Sequence, residues 1–235
     1  MTSTTPHDAT VTGYADPEGE APWAMQLVIH IDKADPPTRT AVCEAAGTAV
    51  VRLLTAPEAT EEWAPAIERW TDGRIRKHAR RASRPVAWAK VADLPGVTVE
   101  HDGARVRAFV PTATDAIPAD IAKLQLSGTE PADPDRRTRR VEPVPAGVVV
   151  VTLNPDAQMP LGKAAAAAGH AAQLAYDDMP ADRRDAWESN GFAVVVEQPG
   201  SDDWAGFVDV AQVRVVDAGL TVVAPGTVTA VARWA

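Results

Sequence analysis

The sequence predicts an α/β protein, a mixed β-sheet flanked by helices, built twice in tandem to form a pseudo-dimer within one chain. Three observations carry that expectation. The stretch Gly128–Gly147 (GTEPADPDRRTRRVEPVPAG) is rich in Pro and charge and poor in apolar residues, which marks a linker. On either side of it the chain opens alike, with an apolar β-branched run (Gln26–Ile31, then Val148–Leu153), a polar loop with Pro and a small-residue helix. Those helices superpose: Arg39–Leu53 lies over Leu161–Ala175, placing Ala46-Gly47-Thr48-Ala49 on Ala168-Gly169-His170-Ala171. A weaker second anchor sets Ile117–Leu124 over Ala224–Val231. The resulting division is a disordered tail at 1–22, a degenerate unit at 23–127, a linker at 128–146 and an intact unit at 147–235.

Each element of the intact unit follows from pattern. Strand 147–153 leads to helix 160–177 and a short helix at 181–189, then strand 192–197, a loop or short helix at 201–209, and strands 211–216 and 226–233. Strands alternating with helices imply a sandwich of helices on a mixed sheet. The run Ala164–Ala168 has the highest helix propensity, and its small side chains let the helix lie close against its neighbours. In the first unit, Arg74–Arg84 reads as a charged helix.

Composition bounds the rest. With 46% hydrophobic and 23% charged residues the chain has material for a sizeable core. The single cysteine, Cys43, excludes an internal disulfide and a cysteine-rich zinc site, so a reducing compartment is expected and the thiol reads as core. Residues 1–22 carry neither a basic start nor an apolar run, so no signal peptide is expected. No stretch reaches the roughly 18–20 apolar residues that cross a bilayer. The expectation is a cytoplasmic protein with no membrane partner. A net charge of −9 argues against a generic nucleic-acid binder. The basic residues are nevertheless clustered: Arg74, Arg76, Lys77, Arg80, Arg81 and Arg84 form one group, and Arg136, Arg137, Arg139 and Arg140 another. Both also fit a solvated helix face and a polar linker.

Gly162-Lys163, after a strand and before a helix, invites a phosphate-binding reading. The P-loop pattern fails, because Ala157 and Ala164 stand where Gly and Ser or Thr are required. What remains is a lysine in the first turn of a helix, where its charge opposes the helix dipole. That placement suits contact with an anionic group.

Two motifs in order, Met159-Pro160-Leu161-Gly162-Lys163 with Gly169-His170-Ala171 and then Asp217-Ala218-Gly219-Leu220-Thr221 with Pro225-Gly226-Thr227 and Thr229, resemble the archaeal and eukaryotic type of peptidyl-tRNA hydrolase. The resemblance covers about 147–235. Matches fall at Met159, Gly162, Lys163, Ala165, Ala166, His170 and Ala171, and again at Asp217, Ala218, Gly219, Thr221, Pro225, Gly226, Thr227 and Thr229. Departures are Ala167 for a usual Gln, and Leu220 and Val222 for a basic residue and a Gln. Glu197 also stands where that family often has Lys.

The resemblance implies hydrolysis of the ester between a peptide and tRNA, with no cofactor and no metal. It implies Asp217 as the acid/base or water-orienting carboxylate, Lys163 as the cation, and Thr221 and Thr229 as hydroxyls completing the site. Such chemistry needs a group to handle water and positive charge to hold a polyanion and a developing oxyanion. His170 reads as a packed histidine supporting the site, with Thr227 beside it. Trp187, Trp204 and Trp234 read as packing, with base stacking as the alternative.

In the first unit Ala41 falls opposite Lys163, Thr48 opposite His170 and Val110 opposite Asp217, so no hydrolysis is expected there. Because that family is usually homodimeric, the degenerate unit is expected to replace a second subunit and to offer Arg74–Arg84 to tRNA, in a chain that is monomeric overall. Two rivals stay open. One is a catalytically inactive tRNA- or protein-binding member of the same fold, favoured by the lost Gln positions and by the acidic surplus of the C-terminal half. The other is a small-molecule hydrolase on the same scaffold.

Overall fold

Two β-branched runs become buried central strands, and the two small-residue runs become the long helices packed between them. The computed structural model describes residues 7–10, 19–217 and 223–235. The first part of the chain forms β1 (His7–Thr10), β2 (Trp23–His30), α1 (Arg39–Leu54), α2 (Ala64–Thr71), β3 (Arg76–Ala82), α3 (Pro85–Ala92), β4 (Gly96–His101), β5 (Ala104–Phe109), β6 (Thr112–Ala113) and α4 (Ala119–Ala122). The second part forms β7 (Val149–Leu153), α5 (Leu161–Asp178), α6 (Ala181–Ser189), β8 (Val194–Glu197), α7 (Trp204–Asp209), β9 (Val213–Val216) and β10 (Val228–Arg233).

One sheet runs β3-β2-β5-β4, with β6 also on β2; the other runs β1-β9-β10-β7-β8. β2 pairs with β3 in parallel, and β5 lies antiparallel to both β2 and β4. β7 likewise pairs with β8 in parallel, and β10 lies antiparallel to both β7 and β9. Four strands of each sheet therefore share one order and one set of directions.

The helices α1 and α5 pack on each other between the sheets. Each also reaches the opposite edge strand: α1 touches β4 and β5 but also β8, and α5 touches β7, β9 and β10 but also β3. Apolar clusters cross the same boundary. Cys43 and Val51 of α1 join the core of the second sheet, while Leu161 and Ala165 of α5 join that of the first. Close approach depends on glycine: a Cβ at Gly169 would lie 2.9 Å from Val50 Cγ2, and one at Gly162 3.3 Å from Ala79 Cβ. Those glycines are seven residues apart, two turns along one face of α5.

Four expectations change. Arg74–Arg84 is not a helix; its centre is the edge strand β3, paired along its whole length with the apolar β2. Pairing and burial decide strand formation more strongly than the intrinsic preference of Arg and Lys for helix. Within the tail drawn at 1–22, residues 7–10 form β1, parallel to β9. The anchor at Ile117–Leu124 also fails, since it contains α4 whereas Ala224–Val231 runs into β10. By strand order β9 corresponds to β4, so Asp217 answers to the end of β4 rather than to Val110.

The linker, finally, is a strap. Glu130 accepts the Leu161 amide at 2.8 Å, capping α5, whose own N-cap residue Pro160 supplies no side-chain cap. Asp133 accepts the Thr40 amide at 3.0 Å and its hydroxyl at 3.1 Å, at the start of α1. Each carboxylate meets the positive end of a helix dipole, worth about 0.3–1 kcal/mol.

Candidate active site

A groove of about 730 Å³ opens along the first turns of α5, the ends of β9 and β10, and the edge strand β3. Lys163 enters it from the first turn of α5 and makes an ion pair with Asp217, the residue after β9. The pair is mostly buried, at 19% and 13% exposure. Asp217 offsets the lysine charge that the helix dipole disfavours.

The backbone fixes the carboxylate. The Asp217 amide donates to the Thr227 carbonyl and its own carbonyl accepts from Gly226, both at 2.9 Å. Ala224–Thr227 closes with the Thr227 amide on the Ala224 carbonyl at 3.2 Å, and Gly226 has φ +81°. Pro followed by a glycine of positive φ is the chemistry of a type II turn. Thr229 is the extra residue of a β-bulge between the Val228–Val216 and Ala230–Val215 pairs. Bulges re-aim side chains next to sites. Thr229 lines the groove, and its hydroxyl donates to the Val215 carbonyl at 3.3 Å. Thr227 helps hold Asp217 through its carbonyl but does not line the groove, and Thr221 lies outside the described residues.

The opposite wall comes from the other half of the chain. Arg74, Arg76, Lys77, His78 and Arg80 line it. Arg80 is braced by Gln26 at 3.1 Å and by the carbonyls of Ala122 and Leu124 at 3.1 and 3.3 Å. Burial, with Arg80 and Arg76 adding to it, lowers the pKa of His78, which is neutral at neutral pH. Two members of the expected basic cluster are elsewhere. Arg81 is 4% exposed, bonded to Glu130 at 2.7 Å and to the Thr129 carbonyl at 2.7 Å. Arg84 is exposed at the start of α3, outside the groove. Strand alternation puts Lys77, Ala79 and Arg81 on the face toward α5, yet Lys77 and Ala79 still line the groove; Arg81 leaves it because Glu130 and the Thr129 carbonyl hold its guanidinium. His78 was missed, although it lies inside the basic run.

His170 lines the groove on the same side of α5 as Lys163, with its Nδ1 3.2 Å from Lys77 Nζ. Burial first, then the charges of Lys77 and Lys163, hold its pKa well below the usual value. Burial also pushes Lys77 down to about 7. Glu197 contributes no charge here, being fully buried in a two-oxygen pair with Arg233 at 2.8 and 2.9 Å. Trp187 is core, its indole N–H on the Ala193 carbonyl.

Among the described residues, the His and carboxylate groups that come together are Glu44, His101 and Asp102, away from this groove. Glu44 already accepts from Arg137, from the Val196 amide at 2.9 Å and from His101 at 2.9 Å. It has little capacity left for a metal ion.

Residues 147–233, the part of the chain that supplies Lys163, Asp217 and Thr229, match the family model described as Peptidyl-tRNA hydrolase PTH2. No curated protein and no solved structure matches the chain. No helix among the described residues is long and apolar enough to cross a membrane.

Proposed function

We propose that the chain hydrolyses the ester joining a peptidyl group to tRNA, with its working site in the C-terminal half. The observation that carries the reading is the Lys163–Asp217 pair, set in a groove with Thr229 and faced by arginines of β3, on the segment that matches the family model. Asp217 orients a water and takes its proton as the water attacks the ester carbonyl. Negative charge then develops on the carbonyl oxygen. Lys163 and the amides of Gly162 and Lys163, which have no acceptor within the helix, stabilise it. Collapse expels the terminal ribose oxygen, which takes the proton held by Asp217 and so restores the carboxylate, and free tRNA leaves. Thr229 holds the loop geometry, and we assign Thr221 the same kind of role. Arg74, Arg76 and Arg80 hold phosphates, with Lys77 and His170 behind them.

We further propose that the two halves arose by tandem duplication and form a pseudo-dimer working in the cytoplasm. The shared strand order supports the duplication and the pseudo-dimer, as does the reciprocal reach of α1 and α5. The test is release of tRNA from an N-acylated aminoacyl-tRNA. Asp217→Asn is expected to lower kcat by about 10²–10⁴-fold, and equal rates for variant and parent would refute the reading.

A second reading, binding without hydrolysis, is favoured by Ala167, an apolar groove residue where the resembling family has Gln. Under it, tRNA binding survives Lys163→Ala and no ester is cleaved by either protein.

A further inference from the structure

Lys77 is a lysine of the N-terminal half with 7% exposure, held on the inward face of β3 against α5. Its Nζ donates to Gln173 Oε1 at 2.5 Å, lies 3.2 Å from His170 Nδ1 and 3.5 Å from the Ile75 carbonyl, and sits 4.7 Å from the centroid of the Trp70 ring. Its stem packs 3.4 Å from where a Cβ at Gly169 would be, so a larger residue there would push it away. An ammonium carries donors and no acceptor. Facing it, Nδ1 must accept, and the proton of a neutral imidazole then sits on Nε2. The neutral amine has an N–H for Gln173 and another for Nδ1 but also a lone pair that can accept, so the ammonium form, populated below about pH 7, is the one that enforces the tautomer. The Lys77 contact is the ring's one hydrogen bond among the described residues, and the ring lines the groove.

We propose that Lys77 is a positioning residue, which fixes His170 as the Nε2–H tautomer and so makes it a neutral hydrogen-bond donor lining the groove. That the donor serves an oxygen of the peptidyl-tRNA ester end rests on the function proposed above. One half of the chain thus sets the chemistry of a side chain in the other. The arrangement differs from a phosphate contact, because the Lys77 Nζ is engaged by Gln173 and His170 in a side chain that is only 7% exposed. It also differs from proton shuttling, since a histidine held neutral first by burial and then by the charges of Lys77 and Lys163 does not take up a proton at neutral pH.

The test uses the full chain labelled with ¹⁵N, with the His170 ring signals assigned by their loss in His170→Gln. Long-range ¹H–¹⁵N correlation at about pH 6, where Lys77 is an ammonium and His170 is neutral, is expected to show a bare Nδ1 and a protonated Nε2. A protonated Nδ1 in the parent protein overturns the proposal without any variant, so it stays decidable if substitutions fail to fold. Lys77→Met is expected to give a tautomer mixture and a kcat lowered about tenfold with KM little changed. Lys77→Gln, which retains an N–H donor, is expected to restore the tautomer and most of kcat. A single Nε2–H tautomer in Lys77→Met overturns the proposal, as does a lost kcat that Lys77→Gln leaves lost despite the restored tautomer. Absence of hydrolysis by the parent protein would instead sink the function reading, while the tautomer measurement would still decide the Lys77–His170 assignment.

Discussion

The starts of the two central helices face the same surroundings and hold opposite contents. At α5 the space bounded by β9, β10 and the foreign edge strand β3 is an open groove with a lysine on the helix and an aspartate at the strand end. At α1 the corresponding space lies between β4, β5 and the foreign edge strand β8. There the charges are exchanged: Glu44 of the helix, 2% exposed, meets His101 at the end of β4. The strap then fills the place. Arg137 pairs with Glu44 and gives its carbonyl to the Gln198 amide at 2.7 Å, Arg136 donates to the carbonyls of Gln198 and Pro199, and Asp133 accepts from Gln198 at 2.6 Å. The same scaffold thus yields a charged pair lining a groove at one end and, at the other, a buried carboxylate closed over by the strap. What separates them is the linker and a handful of side chains.

Substitutions at the two ends should diverge accordingly. Lys163→Ala is expected to lower the rate of tRNA release about 100-fold, with a melting temperature near that of the parent. At the other end, Glu44→Ala strands Arg137 and the Val196 amide, and should cost about 3 kcal/mol in urea denaturation while the remaining folded protein keeps its turnover. If Glu44→Ala abolished turnover in folded protein, the two ends would not be functionally distinct.

Binding sharpens the contrast further. Arg76→Ala with Arg80→Ala should weaken tRNA binding and lower the slope of log K against log salt by about 1.5. Arg84→Ala, outside the groove, should leave both unchanged.

The pH dependence of stability separates the ends again. Burial pushes Lys77 down to about 7 when folded, from the ordinary lysine value of 10.5, because it outweighs the opposing attraction of Asp177. Between those values the unfolded chain binds more protons, so stability should rise with pH across that window and Lys77→Met should flatten the rise. His101 behaves in the opposite sense. Its hydrogen bond to Glu44 raises its pKa, so its contribution is full below about 6.5 and fades as pH climbs through the raised value. The partly exposed pair is worth about 0.5 kcal/mol, and His101→Ala should show that loss at pH 5.5 and almost none at pH 9.

Much of the site was legible because its residues are local in sequence. Gly162-Lys163 follows a buried strand and Pro225-Gly226 makes a turn, but it was the resemblance of the two motifs to a known family, not their spacing, that marked Lys163, Asp217 and Thr229 as one site. The basic cluster was legible as composition but not as geometry. A run such as RKHARRA has no apolar period from which to read its fold, and only pairing with β2 decided that Arg76 and Arg80 go to the groove while Arg81 goes to Glu130. Lys77 read as one more phosphate ligand, because burial of a lysine is not written in its neighbours along the chain. The strap was hidden for a similar reason: Glu130 and Asp133 cap helices that begin far from them in sequence.

By itself, then, the sequence determined the alternation of strands and helices and the close-packed small-residue helices, which follow from short-range propensity and turn chemistry. Its two motifs marked Lys163 and Asp217 through their resemblance to a family, and the structure paired them. Only the tertiary structure decided which residues of β3 meet the groove, which end of the helix pair the strap closes, and that Lys77 of one half sits on His170 of the other. Those are contacts between distant segments, fixed by sheet register and by burial, and neither is encoded in any one stretch of chain.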